Sequence, residues 1–384
     1  MKIKVIRAKL IEGLNLVKDA CEGKEKLNIL TNIKIEATTG DAPGQIPDEE
    51  FGRLVLTASN LSTQIEAVVP CKIEKKGAAC LVGRRFVDFV SALPDGEVEI
   101  ELNSTGTKAI ISGGECVYTL AAINGSEFPI MSKPEDGKDN TVFLYLQAPT
   151  IKELLRKVKY ASSTDGQRKA LEGVNVEMKD GSVIFRAADG KRLSVCEYKC
   201  EVSVKEPHSF TFPNKAIAQL FSLLDKCEEG EEIEISCNGR NSRIVSKRWM
   251  LGAKMIEDIY PNLEKAIPDE TQFSVEIDRE KFLEEVKRAN LASDKESLAV
   301  KITFDNGKVT FEGRDCDVSK YRSNIPAKYI GEKIYFWMNA RLLKDVLGGI
   351  DDNDVTISFN GLGTPMVIKC SIPFLGVIMP LRID

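Results

Sequence analysis

One structural unit recurs three times along this chain, and that repetition constrains its fold more than any other feature. An alternating strand opened by an acid appears as Glu97-Val98-Glu99-Ile100-Glu101, as Glu232-Ile233-Glu234-Ile235-Ser236 and as Asp354-Val355-Thr356-Ile357-Ser358. Ahead of each copy a strand runs into Gly83, Asn214 or Asn339. A short helix follows, marked by Phe86-Phe89-Val90, Ile217-Leu220-Phe221 or Leu342-Val346-Leu347. Those apolar positions fall on one helical face, and the asparagines predict N-caps for the second and third copies.

Further upstream each copy carries a two-strand ladder: Ile33–Ala37 with Leu54–Ala58, Val174–Met178 with Val183–Ala187, and Val300–Phe304 with Val309–Gly313. Strict alternation marks half-buried antiparallel strands. Lys179-Asp180-Gly181 and Asp305-Asn306-Gly307 read as hairpin turns, while the first copy has a Gly/Pro/acid-rich insert, Thr38 to Gly52, read as a surface loop. Each copy opens with an amphipathic helix (Leu10-Leu14-Leu16-Val17, Ile151-Leu154-Leu155-Val158, Phe282-Leu283-Val286-Ala289) and closes with Phe128-Pro129, Tyr260-Pro261 or Met379-Pro380. The pattern predicts an α+β protein of three tandem modules, helices on antiparallel sheets. They cover 1–132, 139–267 and 271–384, with linkers at Pro134–Lys138 and Pro268–Glu270.

Composition removes most chemistry. His208 is the only histidine in 384 residues, so multi-histidine metal sites are excluded, and it reads as a solvated loop residue just before a strand. Ten cysteines include no CxxC pair; Cys196 and Cys200 share one face of a strand but cannot complete a four-ligand zinc site, which leaves free thiols acting as small hydrophobes. No metal or cofactor is expected. Without a long apolar run or a signal-like N-terminus, the chain is expected to be cytoplasmic with no membrane partner. Asp315 and Asp317 point the same way on a strand, the geometry of a magnesium-dependent nucleotide-processing enzyme. Copies one and two have Asn60 and Asp189 in that region, so a solvated turn is the preferred reading. The net charge is -5, yet the six predicted helices sum to about +7, leaving about -12 elsewhere.

Three short segments carry a family resemblance. Ala188-Asp189-Gly190-Lys191-Arg192-Leu193 resembles a (T/A)-D-G-x-R-L segment, Tyr260-Pro261-Asn262-Leu263 a Y-P-D/N motif, and Met379-Pro380-Leu381-Arg382 a terminal M-P-x-R, all of the bacterial sliding clamps, the beta subunits of DNA polymerase III. The resemblance spans all three copies. It implies a non-catalytic processivity factor: a head-to-tail homodimer forming a six-domain ring, helices inside and sheets outside, around duplex DNA held without sequence reading. It also implies a hydrophobic cleft where the clamp loader, replicative and translesion polymerases and repair proteins dock short peptides. Matched residue by residue, the cleft comprises Leu171, Asp189, Gly190, Lys191, Arg192, Leu193, Pro261, Lys265, Ala266, Val367, Val377, Ile378, Met379, Pro380, Leu381 and Arg382. Lys265 stands where the family usually has arginine, the family usually has a histidine near Lys191, and Asp384 is an addition. Helix faces and first-loop position nominate Lys24, Lys26, Lys152, Arg156, Lys159, Lys215 and Arg341 as DNA-facing. Tyr118, Leu120 and Leu291 are the expected dimer contacts.

Overall fold

In the computed structural model, residues 1–21, 29–39, 52–132, 134, 141–202, 204, 206–315, 318–371 and 373–382 are described. The first repeat runs β1 (Lys2–Ile6), α1 (Arg7–Val17), β2 (Asn32–Thr38), β3 (Gly52–Ser59), β4 (Thr63–Lys75), β5 (Gly77–Val82), α2 (Gly83–Ala92), β6 (Glu97–Leu102), β7 (Lys108–Gly113) and β8 (Cys116–Asn124). The second gives β9 (Val142–Gln147), α3 (Ala148–Val158), β10 (Gly173–Lys179), β11 (Ser182–Ala188), β12 (Arg192–Lys199), β13 (His208–Pro213), α4 (Asn214–Leu224), β14 (Glu232–Cys237), β15 (Asn241–Val245) and β16 (Trp249–Lys254). The third gives β17 (Phe273–Asp278), α5 (Arg279–Leu291), β18 (Ala299–Asp305), β19 (Lys308–Asp315), β20 (Ser319–Pro326), β21 (Ile334–Asn339), α6 (Ala340–Gly348), β22 (Asp354–Phe359), β23 (Met366–Lys369) and β24 (Phe374–Ile378). Each repeat has the same order: one strand, a helix, four strands, a second helix and three strands. Each repeat therefore opens with a strand, not with the helix expected from sequence; β1, β9 and β17 are short and run straight into their helices.

The chain packs as two compact units, residues 1–151 with 218–255, and residues 152–217 with 256–384. This division follows the hydrogen-bonded sheets. In the first unit twelve strands are ordered β1-β6-β7-β8-β5-β2-β3-β4-β16-β15-β14-β9, and β1 also pairs with β4. In the second an eight-stranded sheet is ordered β13-β10-β11-β12-β24-β23-β22-β17, beside a four-stranded β20-β19-β18-β21. Two antiparallel seams join strands of successive repeats: β4 to β16, with Gln64 opposite Gly252, and β12 to β24, with Leu193 opposite Val377.

Most of the predicted apolar positions are buried, but Phe89, Phe221, Leu283 and Leu342 are only half-buried, and α6 buries Leu343 with Val346 and Leu347. Asn339 caps α6, its Oδ1 accepting from the backbone N–H of Arg341 at 3.0 Å and Leu342 at 3.2 Å. Asn214 is turned elsewhere, donating from Nδ2 to the Ser163 carbonyl at 2.8 Å. His208 opens β13 instead of a loop, opposite Met178. Nine cysteines lie among the described residues, and burial pushes the thiols of Cys21 and Cys71 up to about 12. No described helix is long and apolar enough to cross a membrane.

Asp278 caps α5 by accepting from the Lys281 N–H at 2.9 Å, and that backbone bond chiefly holds its carboxyl below the usual range. Asp278→Ala is expected to cost up to about 1 kcal/mol, discounted because the carboxylate is partly solvated. The folded pKa is depressed, so this stabilisation is present above the ordinary carboxylate pKa and disappears as pH falls through the folded value. Urea titrations of wild type and variant should accordingly differ at pH 7 and converge in strong acid.

Candidate binding groove

The second unit holds a groove of about 580 Å³ beside the β12·β24 seam. One wall is the turn between β11 and β12. Asp189 organises it, its Oδ1 accepting from the N–H of Lys191 at 2.9 Å and of Arg192 at 3.1 Å. Gly190 has φ +85°, a left-handed conformation that glycine adopts at no steric cost, and a Cβ there would stand 2.4 Å from Arg168 Nη1. The Met379 N–H donates to the Lys191 carbonyl at 2.9 Å, fastening the C-terminal tail to the same turn. Leu171, Ala188, Leu193 and Val377 form the buried apolar floor, with Val195, Tyr260, Leu263, Ile267 and Leu375 packed against it. Burial holds the Tyr260 phenol far above its usual range against the opposing charge of Arg186.

Of the expected cleft residues, the structure brings Leu171, Gly190, Lys191, Arg192, Leu193, Pro261, Ala266, Val377 and Met379 to the lining. Asp189 acts through the turn. Val367 and Ile378 do not line the groove; both are buried, Val367 opposite Val377 and Ile378 opposite Met366. Lys265 is exposed in the short turn Glu264–Ala266, and Pro380, Leu381 and Arg382 continue past the groove, where the Leu381 N–H donates to the Trp337 carbonyl at 2.7 Å. Sequence reasoning missed Arg168, Ala170, Ala188, Ile259 and Leu263. Ile259 is 92% exposed and adjoins the Tyr260-Pro261 pair, so an apolar residue beside that motif was the available signal.

Among the DNA-facing candidates, Lys24 and Lys26 lie outside the described residues. Lys215 and Arg341 are exposed, Lys152 and Lys159 half-buried, and Arg156 is committed to an ion pair with Asp351. Of the expected dimer contacts, Leu120 is 8% exposed within the chain, and period-two alternation puts Val117 of the same strand on the opposite face at 64%. Tyr118 stacks on Phe89 with ring centroids 4.4 Å apart, while Leu291 is exposed. The Asp315 side chain and Asp317 lie outside the described residues.

The first seam repeats this turn. Asn60 Oδ1 accepts from the N–H of Ser62 at 3.0 Å and of Thr63 at 2.8 Å, Leu61 has φ +70°, and Lys254 N–H donates to the Ser62 carbonyl at 2.9 Å. Its filling differs. Gln64 and Gly252 occupy the places of Leu193 and Val377, and Gln64 Oε1 accepts from the Met131 N–H at 2.9 Å. The remaining space is about 10 Å³, so only the second seam opens.

Family models for the DNA polymerase III beta subunit match in succession: its N-terminal domain over residues 1–132, its central domain over 145–262 and its C-terminal domain over 264–382. The chain belongs to this family. It is a non-catalytic processivity subunit, and the magnesium-enzyme reading falls with that assignment. The beta sliding clamp of Staphylococcus aureus is 24% identical over 379 residues, covering 96% of this chain and 95% of that one. Among solved structures, the DNA polymerase III subunit beta of Pseudomonas aeruginosa superposes with a TM-score of 0.90 at 21% identity, and the Bacillus subtilis sliding clamp with 0.90 at 22%, each covering 100% of both chains. The Pseudomonas aeruginosa clamp bound to griselimycin superposes with 0.90 at 20%, again over 100% of both.

Proposed function

We propose that two copies of this chain join head to tail into a ring threaded by duplex DNA in the bacterial cytoplasm. The groove docks short apolar peptide segments of the clamp loader, of replicative and translesion polymerases, and of repair proteins. The reading treats residues 1–132, 139–267 and 271–384 as three clamp domains. The observation that carries it is the ordered match of all three family domains across nearly the whole chain.

Physical features support each part. β20 ends its sheet, and β8 is paired only with β7 over Cys116–Ala121, so both offer backbone edges to a second copy. Val117, Leu291 and Val318, at 64%, 85% and 84% exposure, supply apolar area near those edges. Within their observed bounds α3 carries a net charge of +2 and each other helix +1, so the helices are cationic in an anionic chain. Diffuse phosphate contacts of this kind hold DNA without fixing a register. The groove's apolar floor and its Met379 rim suit partners that differ in sequence, because methionine repacks at little cost.

The assembly should have twice the 42.5 kDa mass of the chain in light scattering. Once loaded, it should stay on closed circular DNA and escape when the circle is cut. Equal retention on linear and circular DNA would contradict encirclement.

A further inference from the structure

The two seams differ in how the helices behind them are joined, and the difference centres on a groove residue. In the first unit Gln219, the sixth residue of α4, donates from Nε2 to the carbonyl of Asp19, in the middle of the turn that follows α1, at 3.5 Å. The corresponding pair in the second unit is Asp345, sixth in α6, and Tyr160, in the middle of the turn that follows α3. There Arg192 reaches in between. Its Nη1 donates to Asp345 Oδ2 at 2.6 Å, its Nη2 to the Tyr160 carbonyl, and its Nε to Asp189 Oδ2 at 3.0 Å. Its guanidinium carbon lies 5.3 Å from the Tyr160 ring centroid. Behind the ring, Tyr160 and Ser194 share a hydroxyl hydrogen bond at 3.1 Å, and Ser194 Oγ donates to the Lys157 carbonyl at 2.7 Å. The first seam has Thr63 in place of Arg192, and its hydroxyl turns back onto Asn60 at 3.2 Å. The arginine bridge thus accompanies the open seam.

We infer that Asp345 is a positioning residue for the groove: by holding Arg192 it fixes the Asp189–Arg192 turn and ties the shape of that wall to α6. This rests on the groove being the peptide-docking site. The Arg192 side chain is 9% exposed, so its charge depends on fixed partners, and a planar fork satisfied on three sides has one orientation. Asp189 is already accepting from two backbone N–H groups of the turn. With Asp345 neutralised, Asp189 is left as the one carboxylate paired with the guanidinium beside the Tyr160 carbonyl, and the turn that carries Gly190, Lys191 and the Met379 tether shifts with it.

Calorimetric titration of the full-length protein with griselimycin tests this. Asp345→Asn and Arg192→Gln should each weaken binding about tenfold, and the double variant no more than the worse single one, because both cut one linkage. Asp345→Glu should recover most of the loss. Asp351→Asn, which removes the nearby Arg156 ion pair without touching Arg192, should bind as wild type does and guards against a general stability effect. Unchanged affinity in Asp345→Asn, or losses that add in the double variant, would overturn the inference. Ala266→Arg, which places a long side chain at an exposed point of the lining, reports on the groove itself. If it binds as tightly as wild type, or if wild type does not bind, the docking reading fails instead.

Discussion

Phe359→Ala should destabilise the second unit by about 4 kcal/mol, the middle of the range for removing a buried aromatic ring. Phe359 ends β22 with no exposed surface, and four rings surround it. Centroids of Phe304, Phe336, Phe273 and Tyr329 lie at 4.6, 5.0, 5.9 and 6.1 Å. These side chains come from β17, β18, β21, the stretch after β20, and β22, so the ring is the common contact of both sheet halves of the third repeat. Deleting it removes the transfer energy of the ring and leaves a cavity that four stiff neighbours cannot collapse into. For a unit of about two hundred residues the loss corresponds to a fall of roughly 8–16 °C in the thermal midpoint. Phe359→Leu keeps most of the volume and should cost less than half as much. Differential scanning calorimetry separates the outcomes: the transition of the first unit should hold its temperature in both variants. A shift below 2 °C for the alanine variant would show that the ring cluster is not the keystone its geometry implies.

The triplicated order of elements was readable because each repeat obeys local rules. The acid-led strands, the helical spacing of Leu10-Leu14-Val17 and its counterparts, and the Asp-Gly and Asn-Gly turns act within a dozen residues. What escaped depends on pairing across long stretches of chain. The opening strands β1, β9 and β17 are short segments whose identity is fixed by partners 76 to 99 residues away. At the groove, the Asp-Gly turn and the Tyr-Pro and Met-Pro pairs marked the right neighbourhood, but motif matching took in Val367 and Ile378, whose side chains serve the sheet core, and left out Arg168 and Ile259. No sequence signal separates a residue that lines a groove from its neighbour one step along a strand until the sheet is assembled. The Arg192–Asp345 bridge, spanning 153 positions, is of the same kind.

Leu193→Gln should abolish most of the groove's affinity while leaving the first seam unchanged, and the comparison of seams says why. Glutamine already stands at this place in the first seam as Gln64. It is tolerated there because its Oε1 accepts from Met131 N–H and its Nε2 donates to Glu66 at 2.8 Å. The residue two positions beyond Leu193 is Val195, which has no side-chain acceptor, so the new amide would be buried without the partner Glu66 provides. An unpaired amide costs about 1–3 kcal/mol, and the loss of an apolar side chain from the floor about 1.5–3 kcal/mol of contact for any ligand seated on it. Affinity for griselimycin should therefore fall at least tenfold, with a thermal midpoint several degrees lower. The mirror substitution, Gln64→Leu, should leave affinity and stoichiometry as they are, because Met131 and its neighbours fill the first seam whatever residue 64 is. Full affinity in Leu193→Gln would mean that ligands do not rest on this floor. A second binding site in Gln64→Leu would mean that the plug, and not the filled space, keeps the first seam shut.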